Sequence, residues 1–228
     1  MSELIAISLI GAILVIDTSI AFQFLISQPL IACTICGWFL NDPLLGLEFG
    51  LLFQLIWMAD IPAGAHIIPA GNLASIIATV VGIELLNNNQ EAFSLIILLC
   101  IVYGLIIAYV GALVVKINRG WNVFFFDKAL KSAGKGRLGS ISLINFTALF
   151  VQFIVLFLLI LTGIYIGQKS GAVLLEKLPE VWDYYARYIE YGIFGLGTGL
   201  TITMYKTSPK RLIFLSAIFI SGILVFVF

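Results

Sequence analysis

The sequence is poor in charged residues. They make up 11% of 228 residues, against 61% hydrophobic residues, and the mean hydropathy is +1.14. Soluble domains carry roughly 25% charged residues. Because the 12 basic and 12 acidic side chains cancel, neither a basic nucleic-acid-binding surface nor an acidic tail is indicated. Sparse charge between long apolar runs predicts an all-α integral membrane protein, a polytopic helical bundle forming one membrane domain over residues 1–228.

Histidine and cysteine are also scarce. One histidine and three cysteines cannot make a credible zinc site, and the common phosphate-loop, metalloprotease, serine-nucleophile and dinucleotide motifs are missing from the sequence. We therefore predict no metal, no cofactor and no catalytic residue. Cys33 and Cys36 form a CxxC pair inside the apolar segment PLIACTICGWFL, without a second pair. We interpret both, and Cys100, as small packing residues.

Several apolar runs approach the length of about 20 residues that a membrane-spanning helix needs. The clearest are 92–115 and 140–168, which contain no charged residue, and 66–86, which has one glutamate near its end. The segments 191–205 and 212–228 are the remaining candidates in the second half of the chain. Together these runs predict a multi-pass protein.

Lysine and arginine in the short connections predict the direction of each span, because cytoplasmic loops are rich in both. The loop 116–137 holds six basic residues and one acidic residue, and 206–211 is purely basic, so both are expected inside. The loop 169–190 holds three basic and four acidic residues and is expected outside, as is 87–91. The spans therefore alternate, beginning with an inward-running 92–115.

The first 86 residues contain shorter apolar pieces, at 4–16, 30–40 and 44–58. Glu3 stands where a signal peptide would carry positive charge, so 4–16 is expected to be a retained membrane helix. Backbone that leaves the helix at membrane depth is tolerated only where protein buries it or where it lines a cavity. Short segments interrupted by glycine and proline also point to a transporter's binding site. We therefore predict re-entrant or broken helices in this half.

The stretch 41–72, NDPLLGLEFGLLFQLIWMADIPAGAHIIPAGN, concentrates three prolines and three carboxylates. With the flanking QPLIACTICGWFL and LASIIAT, it resembles the membrane IIC subunit of the mannose–fructose–sorbose phosphotransferase (PTS) family. The matching positions are Pro29, Leu30, Gly37, Asp42, Gly46, Gly50, Gln54, Trp57, Met58, Gly64, Pro69 and 73–77. Downstream, FFFDKALKSAGKGRLGSIS and GLGTGLTITMYKTSPKRLIFLSAIFISGILVF resemble the family's cytoplasmic loop and last two helices, so the likeness covers most of the chain.

The resemblance implies a permease subunit in the bacterial cytoplasmic membrane that binds and translocates a hexose of the mannose, fructose, sorbose or N-acetylhexosamine class. Soluble IIA and IIB proteins would carry the phosphoryl group, and a membrane IID subunit would complete a trimer of heterodimers with an elevator-like motion. Three positions depart from the pattern: Gln28 replaces an arginine, Ala59 replaces a glycine and Ala70 replaces an aspartate. They keep open an alternative, a diverged membrane partner or sensor that does not transport.

Three polar residues of this stretch are candidates for sugar binding. Gln54 can both donate and accept hydrogen bonds and matches a polar position of the family motif; an interhelical hydrogen bond is the alternative. Glu48 and Asp60 are carboxylates within or beside apolar sequence, where a charge costs about 2.5–3.5 kcal/mol on insertion scales. Asp60 precedes Ile-Pro and could instead lie at a turn, and Glu48 belongs to a GxxxG segment that also suits helix packing.

Three further candidates have structural alternatives. His66 is expected to contact the sugar or to be satisfied within the structure, because the phosphohistidines of the family belong to its soluble subunits. Asn72 opens a predicted helix, so it is either an N-cap or a sugar ligand at a helix N-terminus. Trp57 either stacks on a sugar face or anchors the chain at the membrane interface. Asp42, just before a proline, is interpreted as a turn or cap residue.

Overall fold

The computed structural model describes residues 2–18, 23–58, 69–179, 181–204 and 216, and each element in this part of the chain is helical. The α-helices are α1 (Ser2–Ile16), α2 (Pro29–Phe39), α3 (Pro43–Trp57), α4 (Gly71–Asn88), α5 (Phe93–Ala133), α6 (Leu138–Lys177) and α7 (Val181–Met204), with one 3₁₀ turn at Gln90–Ala92. The all-helical prediction is confirmed. Of the predicted span 212–228, only residue 216 is among the described residues.

Helix α4 is the centre of the fold. Fourteen of its 18 residues are buried, and it contacts α1, α2, α3, α5 and α6. A helix that is apolar on all sides is either buried among other elements or faces lipid. The sequence LASIIATVVGI is of this kind, and in α4 it is buried among other helices. The helix begins five residues later than the predicted span 66–86, and residues 66–68 are not among those described.

Helices α2 and α3 form a tight antiparallel hairpin. Gly37 and Gly46 lie at their crossing, where a Cβ on Gly37 would come within 2.7 Å of the Gly46 Cα. At the tip, the Asp42 carboxylate accepts a hydrogen bond of 3.0 Å from the Leu45 amide and caps α3, as its position before a proline predicts. Asn41, with φ 63°, makes the turn. The predicted short segments 30–40 and 44–58 are therefore present as two short helices, α2 and α3, joined by a tight turn.

The helix directions follow from contacts between successive turns. Helix α6 points the same way as α4, and the facing pairs are Gly163 with Ile77, Gly167 with Val81 and Gly171 with Leu85. Helices α1, α3 and α5 point the opposite way from α4. The pairs with α4 are Gly11–Ile76 and Thr18–Asn72 for α1, and Phe49–Gly82 and Trp57–Gly71 for α3. For α5 they are Gly104–Ala78 and Gly111–Leu73. We call the two ends of the bundle the Gly71 end and the Asn88 end, after the first and last residues of α4.

Helices α5 and α6 are far longer than their apolar cores. At 41 and 40 residues they extend about 60 Å each, roughly twice the hydrocarbon thickness of a bilayer. The interpretation of 116–137 and 169–190 as loops is wrong for most of both segments, because α5 continues to Ala133, α6 continues to Lys177 and α7 begins at Val181. Charged side chains show where the apolar environment ends, but they do not end the helix, because lysine, alanine and leucine all have a high helix propensity.

Helix α7 packs against α3 and α5. Gly197 lies against Leu55, and the Thr201 hydroxyl donates a hydrogen bond of 3.3 Å to the Met58 sulfur, so α7 runs parallel to α3. The glycine-rich segment thus packs within the subunit at Gly197. Cys33, Cys36 and Cys100 are buried as free thiols, which agrees with their interpretation as packing residues.

Candidate functional site

Four helix ends meet at the Gly71 end of the bundle. Helices α1 and α3 end there, and α2 and α4 begin there. Polar side chains from α3, from α4 and from the connection between α1 and α2 lie at this junction and are linked by hydrogen bonds. We call this group the polar layer, and its members are Asp17, Thr18, Ser27, Gln28, Gln54 and Asn72.

Asp17 holds the connection between α1 and α2 in place. It is 1% exposed, and its two carboxylate oxygens accept hydrogen bonds from the backbone amides of Phe24, at 2.6 Å, and Ser27, at 3.4 Å. Between α1 and α2, Gln23 and Leu25 have φ values of 55° and 66°, which are unusual for residues with a side chain. Such backbone persists only where its surroundings fix it, and the Asp17 carboxylate supplies that constraint.

Gln54 lies on the inner face of the α2–α3 hairpin. Its side-chain amide both donates and accepts a hydrogen bond there. Its Oε1 accepts a hydrogen bond of 3.4 Å from the Leu30 amide, and its Nε2 donates one of 3.3 Å to Gln28 Oε1. The interhelical hydrogen bond that was the structural alternative is therefore present. Both distances lie at the long end of the hydrogen-bond range, which is typical of weak contacts that a ligand can replace.

Asn72 is not the N-cap of α4. The helix begins at Gly71, its N-cap is Ala70, and no side chain caps it. The Asn72 amide instead points away from its own helix and donates hydrogen bonds of 3.4 Å to the hydroxyls of Thr18 and Ser27. Asn72 thus connects the start of α4 to the end of α1, so the N-cap alternative is wrong and the sugar-ligand alternative stays a prediction.

Trp57 covers the start of α4. A Cβ on Gly71 would lie 2.6 Å from the indole ring, so Gly71 is required for this close approach. The Trp57 Nε1 is buried and has no hydrogen-bond partner among the described residues. Buried indole N–H groups usually have a partner. The ring therefore offers an apolar face and an unused donor beside the polar layer.

The other predicted residues are not brought into this layer. Glu48 precedes Gln54 by six residues on α3, about 9 Å along the axis and on a different face. Its acidic neighbours are Asp42 and Glu190 of α7, two carboxylates that repel its negative charge. Asp60 and His66 lie outside the described residues, in the segment 59–68 between α3 and α4.

The depth of the polar layer can be measured along α5. The Ala70 amide donates a hydrogen bond of 2.9 Å to the Ala108 carbonyl, and Gly111 lies against Ala70. Helix α5 carries no charged side chain from Phe93 until Lys116, five residues or about 7 Å beyond Gly111. The polar layer is therefore enclosed by apolar sequence, close to the border that Lys116 marks.

Sequence reasoning missed three members of the layer and undervalued a fourth. Asp17, Thr18 and Ser27 were not singled out as site residues, and Gln28 was noted only as a departure from a motif. The sequence itself indicates a role for Asp17, because a lone carboxylate after a long apolar run is a functional candidate by default. The partners of Ser27 and Gln28 are distant in sequence, at 45 and 26 residues, and no local pattern indicates them.

Comparison with known proteins places the chain in a family. A family model described as PTS system sorbose-specific IIC component matches residues 1–224. The mannose-specific EIIC component of Escherichia coli K12 is 31% identical over 164 residues, which cover 72% of this chain and 59% of that protein. The sorbose-specific EIIC component of Lacticaseibacillus casei is 30% identical over 72% of this chain and 56% of that protein. The chain thus spans less than two thirds of the length of these curated relatives.

Solved structures agree with this match. One, described as the structure of a membrane protein, superposes with a TM-score of 0.72 and 25% identity, covering 97% of this chain and 86% of that one. The cryo-EM structure of the mannose transporter ManYZ with microcin E492 gives a TM-score of 0.61 and 26% identity over the same shares. The helical membrane fold predicted from the sequence is confirmed, and the chain belongs to the family of PTS sorbose-specific IIC components, the mannose and sorbose type of membrane subunit.

Proposed function

We propose that this chain is the permease subunit of a phosphoenolpyruvate-dependent sugar phosphotransferase system and that it binds a hexose at the polar layer. The observation that carries the proposal is the convergence of four helix ends and their polar side chains inside apolar sequence. Non-helical backbone at such depth is tolerated where it lines a cavity. The named specificities of the relatives make mannose and sorbose the first substrates to test, with fructose and N-acetylhexosamines next.

Each member of the site has a role in this proposal. Gln54 and Asn72 exchange their long internal hydrogen bonds for bonds to sugar hydroxyls, and Trp57 covers the apolar face of the ring. Asp17 is a positioning residue, because it acts on the connection before α2 and not on the sugar. Asp60 and His66 remain candidates because the segment that carries them joins Trp57 to the start of α4. Glu48 lies outside the polar layer, and its contact with the sugar remains a prediction from the sequence.

We place the Gly71 end of the bundle on the cytoplasmic side of a bacterial cytoplasmic membrane. The support is the charge of 116–137, six basic residues and one acidic residue, which follows the apolar part of α5 at that end. A sugar in the polar layer then lies near the cytoplasmic border, where soluble IIA and IIB proteins would phosphorylate it. No catalytic group is required of this chain, which therefore acts as a transport subunit.

We further propose that a IID subunit and other copies of the complex cover the distal hairpin of α5 and α6, in a trimer of heterodimers with an elevator-like motion. Over 112–148 most side chains are exposed, and they include large apolar residues such as Leu113, Phe126 and Phe146 at 62%, 65% and 65%. An exposed apolar surface of this extent marks a contact with lipid or with another protein.

The test is phosphoenolpyruvate-dependent uptake of labelled mannose, fructose, sorbose and N-acetylglucosamine in cells that also produce IIA, IIB and IID. Asn72→Ala should raise the KM for the transported hexose by about tenfold, the equivalent of about 1.4 kcal/mol. Asn88→Ala is the matched control, since Asn88 lies at the other end of the same helix and bonds only the Glu84 carbonyl.

Two outcomes would contradict parts of the proposal. Wild-type uptake by a Gln54→Ala, Asp60→Ala double variant would remove the polar layer as the sugar site. Hexose binding by the purified complex without uptake of any of the four sugars would favour the alternative of a non-transporting membrane partner or sensor.

A further inference from the structure

A lateral groove lies on the opposite half of the bundle from the polar layer. It has a volume of about 320 Å³ and is bordered by α4, α5 and α6, with Val81, Val102, Tyr103, Ser170 and Leu174 among its walls. Its rim is open to the side, since Val102 is 47% exposed and Leu174 45%. The glycines of α6 that pack against α4, Gly167 and Gly171, form part of its floor.

The groove offers an occupant almost no hydrogen bonds. Its lining is nearly all apolar, and its two hydroxyl groups are already used. Tyr103 Oη donates to the Gly163 carbonyl at 2.6 Å, and Ser170 Oγ donates to the Ile166 carbonyl at 2.8 Å. A sugar or another polar solute would lose its hydrogen bonds to water here without replacement, so the groove suits a hydrocarbon.

The shape of the groove suits a narrow occupant. Its floor is formed by Gly167 and Gly171, which lie against Val81 and Leu85 of α4, whereas an α-helix with its side chains is about 10 Å across. A single chain of methylene groups is narrower and can follow the groove along α6. We propose that this groove holds one acyl chain of a membrane phospholipid.

The position of the groove indicates where the headgroup lies. The lining residues Leu85, Gly171 and Leu174 extend toward the Asn88 end, and Ile106 marks the other limit. Lys177 follows Leu174 by three residues, on the same side of α6, and is exposed. Glu176 points to the opposite side of the helix. The Lys177 ammonium therefore stands beyond the end of the groove, where it can pair with the lipid phosphate. In the orientation proposed above, this lipid belongs to the outer leaflet.

The experiment compares two tryptophan substitutions in the full chain, produced together with its partner subunits. Val102→Trp fills the groove, whereas Leu105→Trp introduces the same side chain on the same helix outside it. After exhaustive detergent exchange, native mass spectrometry counts the phospholipids that each purified complex retains. We expect Val102→Trp to lose the lipid that wild type and Leu105→Trp retain, and Lys177→Gln to retain at least threefold less.

The outcomes are separable from those of the transport assay, because lipid retention is measured without substrate. Equal retention by the two tryptophan variants, or no retained lipid in wild type, would overturn the proposal. A photo-reactive benzophenone at Ile106, on the exposed rim, identifies the occupant directly. An adduct with the mass of a phospholipid supports the proposal, and an adduct with a partner subunit or a second copy of this chain overturns it.

Discussion

Asp17 and Asp42 make the same kind of bond in different places. Each carboxylate accepts hydrogen bonds from backbone amides, Asp17 at the polar layer and Asp42 at the tip of the hairpin. Asp42→Ala should lower the free energy of unfolding by about 1 kcal/mol, the usual cost of a lost cap, and leave uptake unchanged. Asp17→Ala should lower both stability and uptake, because the strained backbone at Gln23 and Leu25 loses its constraint.

Thermal unfolding in detergent and the hexose uptake assay measure the two effects separately. The comparison is informative because both variants lose a carboxylate that bonds the backbone, so a general loss of stability affects both. Equal uptake by the Asp17 and Asp42 variants, at equal amounts of protein in the membrane, would contradict a positioning role for Asp17.

Gln152 is a buried polar residue that stabilises little. It lies in the apolar part of α6, is 6% exposed, and its Oε1 has no hydrogen-bond partner within the part of the chain that the structure describes. An unpaired buried polar group costs about 1–3 kcal/mol, so Gln152→Leu should raise the melting temperature or leave it unchanged. Ile160→Ala, on the same buried face two turns away, should lower stability by about 2–5 kcal/mol and serves as the comparison. A clear drop in the melting temperature of Gln152→Leu would show that this amide has a partner in the native membrane.

At the scale of elements, the sequence predicted the existence of helices better than their ends. The short apolar pieces 4–16, 30–40 and 44–58 match α1, α2 and α3 within one or two residues, because proline and asparagine-aspartate breakers flank the hairpin helices. The ends of α5 and α6 were missed by many residues. Hydropathy and charge show which environment surrounds a helix, not where the helix ends. A helix that leaves the membrane keeps its backbone hydrogen bonds and can continue into water.

The α2–α3 hairpin depends on glycine at its crossing. A Cβ on Gly37 would lie 2.6 Å from the Asp42 carbonyl oxygen, so Gly37→Ala forces the two helices apart and should lower both the melting temperature and uptake. Gly120→Ala is the matched control. Gly120 lies within α5 with no described atom close to a Cβ, and alanine there should stabilise the helix by about 0.5–1 kcal/mol. A Gly37 variant as stable as the Gly120 variant would show that the hairpin can open without cost.

At the scale of the whole molecule, the site was only partly predictable because it forms between distant segments. Gln54, Asn72 and Trp57 were chosen for their chemistry, and the fold brings them to one junction. Their partners could not be inferred from spacing, since Asn72 bonds a hydroxyl 54 residues away. Glu48 satisfied the same chemical criterion but lies about 9 Å further along α3, so residue type alone did not separate members of the layer from neighbours.

In the proposed orientation, the helix directions also give the side of the membrane on which Ser2 lies, which the charge pattern of the first 86 residues left open. Helix α1 is antiparallel to α4, so Ser2 and Asn89 lie at the Asn88 end, and the turn that contains Lys135 lies beyond the opposite end. Single cysteines at these three positions can be labelled with a membrane-impermeant maleimide, with low background because the native cysteines are buried. In right-side-out vesicles we expect labelling of Ser2→Cys and Asn89→Cys, and in inverted vesicles labelling of Lys135→Cys. Reversal of all three would overturn only the proposed orientation, whereas labelling of Ser2→Cys and Asn89→Cys from opposite sides would contradict the packing of α1 against α4, on which the polar layer depends.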